Sequence, residues 1–128
     1  MQDLDGIYNF KKKKMKKIIV LILMILPLLV GAQESKDKNT KANFLVKGNC
    51  EMCKKRIEKA ALSVKGIKMA TWDIPSNVIS IIYDPNKTPL EEIHNTIASV
   101  GHDTALSKAD DDVYNALPMC CLYDREHE

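Results

Sequence analysis

The chain has 128 residues, 45% hydrophobic and 28% charged, and a formal net charge of +2. That length holds one small domain. The basic excess lies in residues 1–32, which carry six of the 19 basic and two of the 17 acidic side chains; the remainder, with 13 basic and 15 acidic, stands at −2 and offers no basic surface for nucleic acid.

Lys11 to Lys14, Lys16 and Lys17 form a positive cluster, followed by an apolar run of 13 residues from Ile18 to Val30. Val30-Gly31-Ala32 then places small residues before Gln33. This is the layout of a secretory signal peptide over residues 1–32, cleaved after Ala32. Met15, followed by Lys16-Lys17, is an alternative start. The apolar run is shorter than the ~20 residues a membrane span needs. The mature chain is therefore expected to be exported, periplasmic or extracellular, and not membrane-embedded. A retained segment would leave it membrane-anchored.

Residues 33–41 are polar and charged, without apolar periodicity, and read as a flexible linker. Asn43 to Lys47 reads as a strand. Cys53 to Val64 reads as a helix, with Ile57, Ala60, Ala61 and Val64 on one face and Gly66 closing it. Ile67 to Ile74 is a second strand, Pro75-Ser76-Asn77 a turn and Val78 to Tyr83 a third strand. Ile79, Ile81 and Tyr83 share one face of it. Thr88 can cap a helix opening at Pro89, with Glu91 completing a capping box. Leu90, Ile93, Ile97 and Val100 form its apolar stripe, Gly101 ends it, and Asp103 to Leu106 can make a fourth strand.

The order βαββαβ defines an α+β, ferredoxin-like sandwich over residues 42–107: an antiparallel four-stranded sheet with two helices on one face. Residues 108–128 form a tail. Asp110 to Asp112 can open a helical turn there, Pro118 stops it, and the charged end is expected to be mobile.

All four cysteines, Cys50, Cys53, Cys120 and Cys121, follow the signal segment. An exported chain favours disulfides. Yet a Cys50–Cys53 bridge closes too short a loop to stabilise much, and Cys120 and Cys121 are adjacent. Such spacing suits chemistry better than scaffolding. Cys50-Glu51-Met52-Cys53 lies where a strand gives way to a helix, so two thiols can converge on one soft ion or close a redox disulfide. The helix N-terminus and Lys54, Lys55 and Arg56 favour the thiolate. Those three cations can equally be a solvated helix face or a docking patch. Met52 could add a thioether but is expected to pack, and Trp72 and Tyr83 to serve the core. Cys120 and Cys121 can bring further thiolates to the pair, form disulfides with it, or anchor the tail.

The chain resembles the heavy-metal-associated domain family, in a copper-chaperone-like, exported form, over about residues 42–106. The resemblance is carried by Gly48-Asn49-Cys50-Glu51-Met52-Cys53, Val64-Lys65-Gly66-Ile67, Tyr83-Asp84-Pro85 and Val100-Gly101-His102-Asp103, in that order. It implies Cys50 and Cys53 as ligands of Cu(I), or of Zn(II) or another soft heavy-metal ion. It also implies a partner that is a metal-transporting ATPase or another exported metal-binding protein. Gly48-Asn49 stands where many members carry Met-Thr, the Met packing under the metal loop. His102 stands where bacterial members often carry Tyr. His102 is expected to be a solvent-exposed loop residue that can add an imidazole or tune access to the metal.

Two functions follow. One is a non-enzymatic Cu(I) chaperone or scavenger that exchanges metal through the Cys50/Cys53 thiolates. The other is a thiol-disulfide redox protein using Cys50/Cys53 with Cys120/Cys121. The second is disfavoured by the absence of an aromatic residue before Cys50 and of a βαβ crossover. No paired carboxylates or hydrolase motif appear.

Overall fold

The computed structural model describes residues 15–17 and 36–125. The chain divides into two units, residues 1–34 and 35–128. The signal segment falls almost wholly outside the described residues. Among those residues, no helix is long and apolar enough to cross a membrane.

The second unit opens with β1 (Thr40–Leu45), followed by α1 (Glu51–Ser63), β2 (Ile67–Asp73), β3 (Val78–Tyr83) and α2 (Leu90–Ser99). A short α3 (Asp111–Asn115) and a 3-10 turn (Met119–Cys121) follow in the tail. The sheet runs β1-β3-β2, with both pairings antiparallel. β3 pairs with β1 from Thr40↔Tyr83 to Leu45↔Val78. It pairs with β2 from Ile67↔Tyr83 to Asp73↔Val78, with an irregularity between Ile67 and Met69.

Side-chain alternation explains the central strand. Ile79, Ile81 and Tyr83 are buried as their shared face requires, and Ser80 points outward. α1 buries Cys53, Ile57, Ala60 and Ala61, and it packs against β2 and α2. Ile93 and Ile97 of α2 complete the core with Val46 and Trp72. Trp72 is fully buried and its Nε1–H donates to the Val46 carbonyl at 3.1 Å, so the indole's polar edge is satisfied.

The fold departs from expectation in three places. β1 begins at Thr40, inside the segment read as linker, and ends at Leu45. The capping box does not form. Pro89 occupies the N-cap position without a side-chain hydrogen bond, and the buried Thr88 hydroxyl instead donates to Glu92 Oε2 at 2.9 Å. The expected fourth strand is reduced, among the described residues, to one bridge between Val46 and Thr104. Lys47 N–H donates to the Asp103 carbonyl at 2.8 Å and Ala105 N–H to the Leu45 carbonyl at 3.1 Å. The Thr104 hydroxyl then accepts from Ser107 N–H at 3.0 Å and Leu106 N–H at 3.3 Å, and Thr104 N–H donates to the Ser107 carbonyl at 2.7 Å. This local turn bonding competes with a ladder and stops the strand.

The tail is built into the core. Leu117, Cys121 and Tyr123 are buried with it. Leu117 packs on Gly101, where an added Cβ would lie 2.9 Å from its Cδ2. Gly101 also has φ +104°, a conformation few other residues adopt.

Two histidines without a sequence signal of burial sit inside. His94 lies against Phe44 at 3.8 Å between ring centroids, the rings tilted by 30°, and shares a hydrogen bond with the Thr104 hydroxyl at 2.7 Å. His102, expected at the surface, is fully buried because Tyr123 covers it, the two rings stacked at 5.7 Å. Burial holds both imidazoles below their ordinary titration range. The unfolded chain therefore binds more protons below the ordinary histidine pKa of about 6.5, and stability is lost as pH falls through that region. The urea midpoint of the reduced, metal-free chain should decline as pH falls from about 6.5 to 5; a midpoint that rises as pH falls over that interval contradicts neutral burial.

Candidate metal centre

The loop from Lys47 to Cys50 joins β1 to α1 and sets both motif cysteines. Cys50 is the extended N-cap residue of α1, with φ −146° and ψ 176°, and its carbonyl accepts from Lys54 N–H at 3.0 Å. Cys53, three residues on, lies on the buried face of the first turn. The two sulfurs are 3.5 Å apart. Trp72 supports this loop from below. A Cβ on Gly48 would lie 2.9 Å from Trp72 Cη2 and 3.1 Å from Cys53 Cβ. Glycine at 48 thus lets a large indole fill the space under the motif.

The tail supplies a third sulfur. Cys121 is fully buried, with its Sγ 3.8 Å from that of Cys50. The sulfurs of Cys50, Cys53 and Cys121 all lie within 4.8 Å of one another. Thiolate–metal bonds of about 2.3 Å put three sulfurs around one ion ~4 Å apart. The three side chains therefore fit a single soft ion without a large shift. Arg56 turns toward this cluster and donates to Cys121 Sγ at 3.6 Å. Lys54 instead pairs with Glu58 at 2.8 Å.

Several bonds hold the tail in place. Asn49 Nδ2 donates to the Leu122 carbonyl at 3.1 Å, and Asn49 N–H points at Cys53 Sγ at 3.4 Å. The Tyr123 hydroxyl donates to the Gly101 carbonyl and accepts from Asp103 N–H, each at 2.8 Å. Arg125 grips the Asp103 carboxylate with two donors at 2.8 Å and reaches Asp111 at 2.8 Å. Burial alone would raise the Asp103 carboxyl, but Arg125 and Ala109 N–H hold it below the usual range. The charged end expected to be mobile is thus clamped as far as Arg125.

The thiols differ in character. The Cys53 backbone N–H acts most strongly on the Cys50 sulfur and draws its pKa down to about 7. Burial opposes it; the Cys53 thiol, Met52 N–H and the Cys120 thiol add to the lowering. Cys121 is pushed the other way, first by burial and then by donating to Cys53 and Cys50. The metal-free site therefore holds a thiolate-ready Cys50 beside a protonated Cys121.

The remaining candidates lie outside the three-sulfur cluster. His102 Nδ1–H donates to the Lys47 carbonyl at 2.8 Å, which leaves a bare, buried Nε2 with no hydrogen-bond partner among the described residues. Cys120 is exposed, its sulfur 3.9 Å from Cys121 Sγ. Sequence reasoning missed the anchors Leu117, Tyr123 and Arg125. The spacing of Leu117, Cys121 and Tyr123 as apolar residues in a charged tail was the available signal.

Residues 44–103 match the heavy-metal-associated domain. Over 55 residues it is 27% identical to the copper chaperone CopZ of Staphylococcus haemolyticus, covering 43% of this chain and 81% of that protein. A solved copper binding domain from HMA7, a P-type ATPase, is 26% identical with a TM-score of 0.50, over 52% of this chain and 92% of that one. A solved CopZ metallochaperone, 24% identical with a TM-score of 0.50, covers 52% of this chain and 100% of its own, and shares the ferredoxin-like α+β fold. None of these matches extends over the whole of the chain, and the family match ends before the cysteines of the tail.

At pH 7 Cys50 should be about half ionised, and its alkylation rate should fall about tenfold per pH unit well below that point. Mass-mapped alkylation of the reduced, metal-free chain checks this. A midpoint at the ordinary cysteine value of about 8.5 contradicts the assigned environment.

Proposed function

We propose that the chain is an exported, non-enzymatic carrier of Cu(I), binding it through Cys50 and Cys53 with Cys121 as third ligand. The observation that carries this reading is the convergence of three sulfurs within 4.8 Å, two from the family motif and one from the tail. Thiolates are soft donors and suit Cu(I) best, with Zn(II) and other soft ions as competitors. The copper names of the relatives support copper for this chain.

The thiols divide the work of loading. Cys50, ionised near neutrality and the more accessible of the motif pair, makes first contact. Cys53 closes the pair from the buried face. Cys121 then gives up its proton, which binding to the ion makes favourable. Arg56 beside Cys121 offsets part of the negative charge this leaves. Unloading reverses the order. A docked partner's thiolate replaces Cys121 first, so the ion is never released to water. A metal-transporting ATPase domain or another exported metal-binding protein is the partner this mechanism requires.

Thiol-disulfide chemistry is the second reading, and the 3.8 Å approach of Cys50 to Cys121 favours it. A two-electron oxidant could close Cys50 onto Cys53, at 3.5 Å, or onto Cys121, and either disulfide blocks the site.

Replacing Cys50 and Cys53 together by Ser should abolish competition with a strong Cu(I) chelator while leaving the helical signal intact. Cys121→Ser should weaken binding by at least about tenfold, because one of three soft donors to the ion is lost. A double variant that competes as the parent does would falsify the site. For export, N-terminal sequencing of the secreted protein should begin at or near Gln33. Recovery of only full-length chain in the membrane fraction contradicts cleavage.

A further inference from the structure

The three-sulfur cluster continues outward into two more soft donors. Cys120 Sγ lies 3.9 Å from Cys121 Sγ and 3.5 Å from Met52 Sδ. Met52 sits between the two motif cysteines and was expected to pack, yet half of it is exposed. Neighbouring Met119 is 89% exposed. Hydrophobic burial therefore does not explain why Met52 meets Cys120. The sulfurs form an unbroken series from the buried Cys53 through Cys50, Cys121 and Cys120 to Met52 at the surface. No successive pair for which a separation is stated exceeds 3.9 Å.

We propose that Met52 and Cys120 form a second Cu(I) position at the mouth of the site, with the Cys121 thiolate bridging it to the inner ion. This rests on the Cu(I) reading above. Two sulfurs sharing an ion lie ~4 Å apart at bond lengths of about 2.3 Å, and both outer separations are close to that. A thiolate bridges because its sulfur keeps further lone pairs after binding one ion. The Met thioether is neutral and polarisable, a soft donor that needs no deprotonation. Occupation breaks the Cys120 S–H bond and releases that proton to solvent. It forms bonds from Cys120, Met52 and Cys121 to the second ion, and no electrons are transferred. The outer ion has one thiolate of its own, one shared thiolate and a thioether, so it is held more weakly than the inner ion. Its exposure makes it the first ion a partner would reach.

The test is a Cu(I) titration of the reduced full chain against a chromophoric chelator under nitrogen, with sedimentation at each step. The parent should take two equivalents as a monomer, the second bound at least about tenfold more weakly than the first. Met52→Leu and Cys120→Ser should each weaken the second step by about tenfold or more while leaving the first within about threefold. Binding that stops at one equivalent overturns the second position alone. So does a second equivalent that both variants take as the parent does, or one taken only as the chain dimerises. Failure to take even the first equivalent overturns this proposal together with the Cu(I) reading.

Discussion

The clamp of Arg125 on Asp103 ties the end of the tail to the loop after α2, and with it the segment that carries Cys121. Asp103 follows α2 and His102; Arg125 lies near the chain's end, and two donors at 2.8 Å join them. The pair is partly buried, with only 8% of the Arg125 side chain and 16% of the Asp103 side chain exposed. A bidentate pair in such a setting fixes direction as well as distance. It seats Tyr123 over His102 and Gly101, and that seating brings Cys121 against the metal loop. It acts together with the Tyr123 hydroxyl bonds to Gly101 and Asp103 and the Asn49 bond to Leu122.

Three sulfurs change what such a site can do. Two thiolates on an open loop hold a soft ion loosely and exchange it readily. A third, buried thiolate slows loss to solvent, and because it arrives on a separate segment it can leave without unfolding the domain. The contrast in acidity between Cys50 and Cys121 suits that division. On the proposed reading Cys50 binds at neutral pH, whereas Cys121 commits only when an ion repays its lost proton. The support beneath is equally specific. Trp72 fills the space that Gly48 leaves open, so loop rigidity comes from β2 rather than from a side chain in the loop itself.

Much of this was legible in the sequence. Val78 to Tyr83 was bounded correctly because strict alternation and flanking turn residues leave little choice. The convergence of Cys50 and Cys53 was legible because motif and element order agree. The fourth strand was not, since Thr104 reads as a good strand residue while its hydroxyl bonds locally and turns the chain. His102 was misjudged for a related reason. Its burial is imposed by Tyr123, 21 positions away in a tail that composition marked as charged and mobile. Long-range pairing of Asp103 with Arg125 leaves no periodic trace, so the place of Cys121 beside the pair could be suspected from four cysteines but not located.

X-ray absorption at the copper edge, on the reduced chain loaded with one equivalent of Cu(I), tests the three-sulfur site most directly. Three sulfur neighbours are predicted, falling to two when Cys121 is replaced by Ser. Two sulfur neighbours in the parent, unchanged by that replacement, would contradict a tail ligand and return the site to the motif alone.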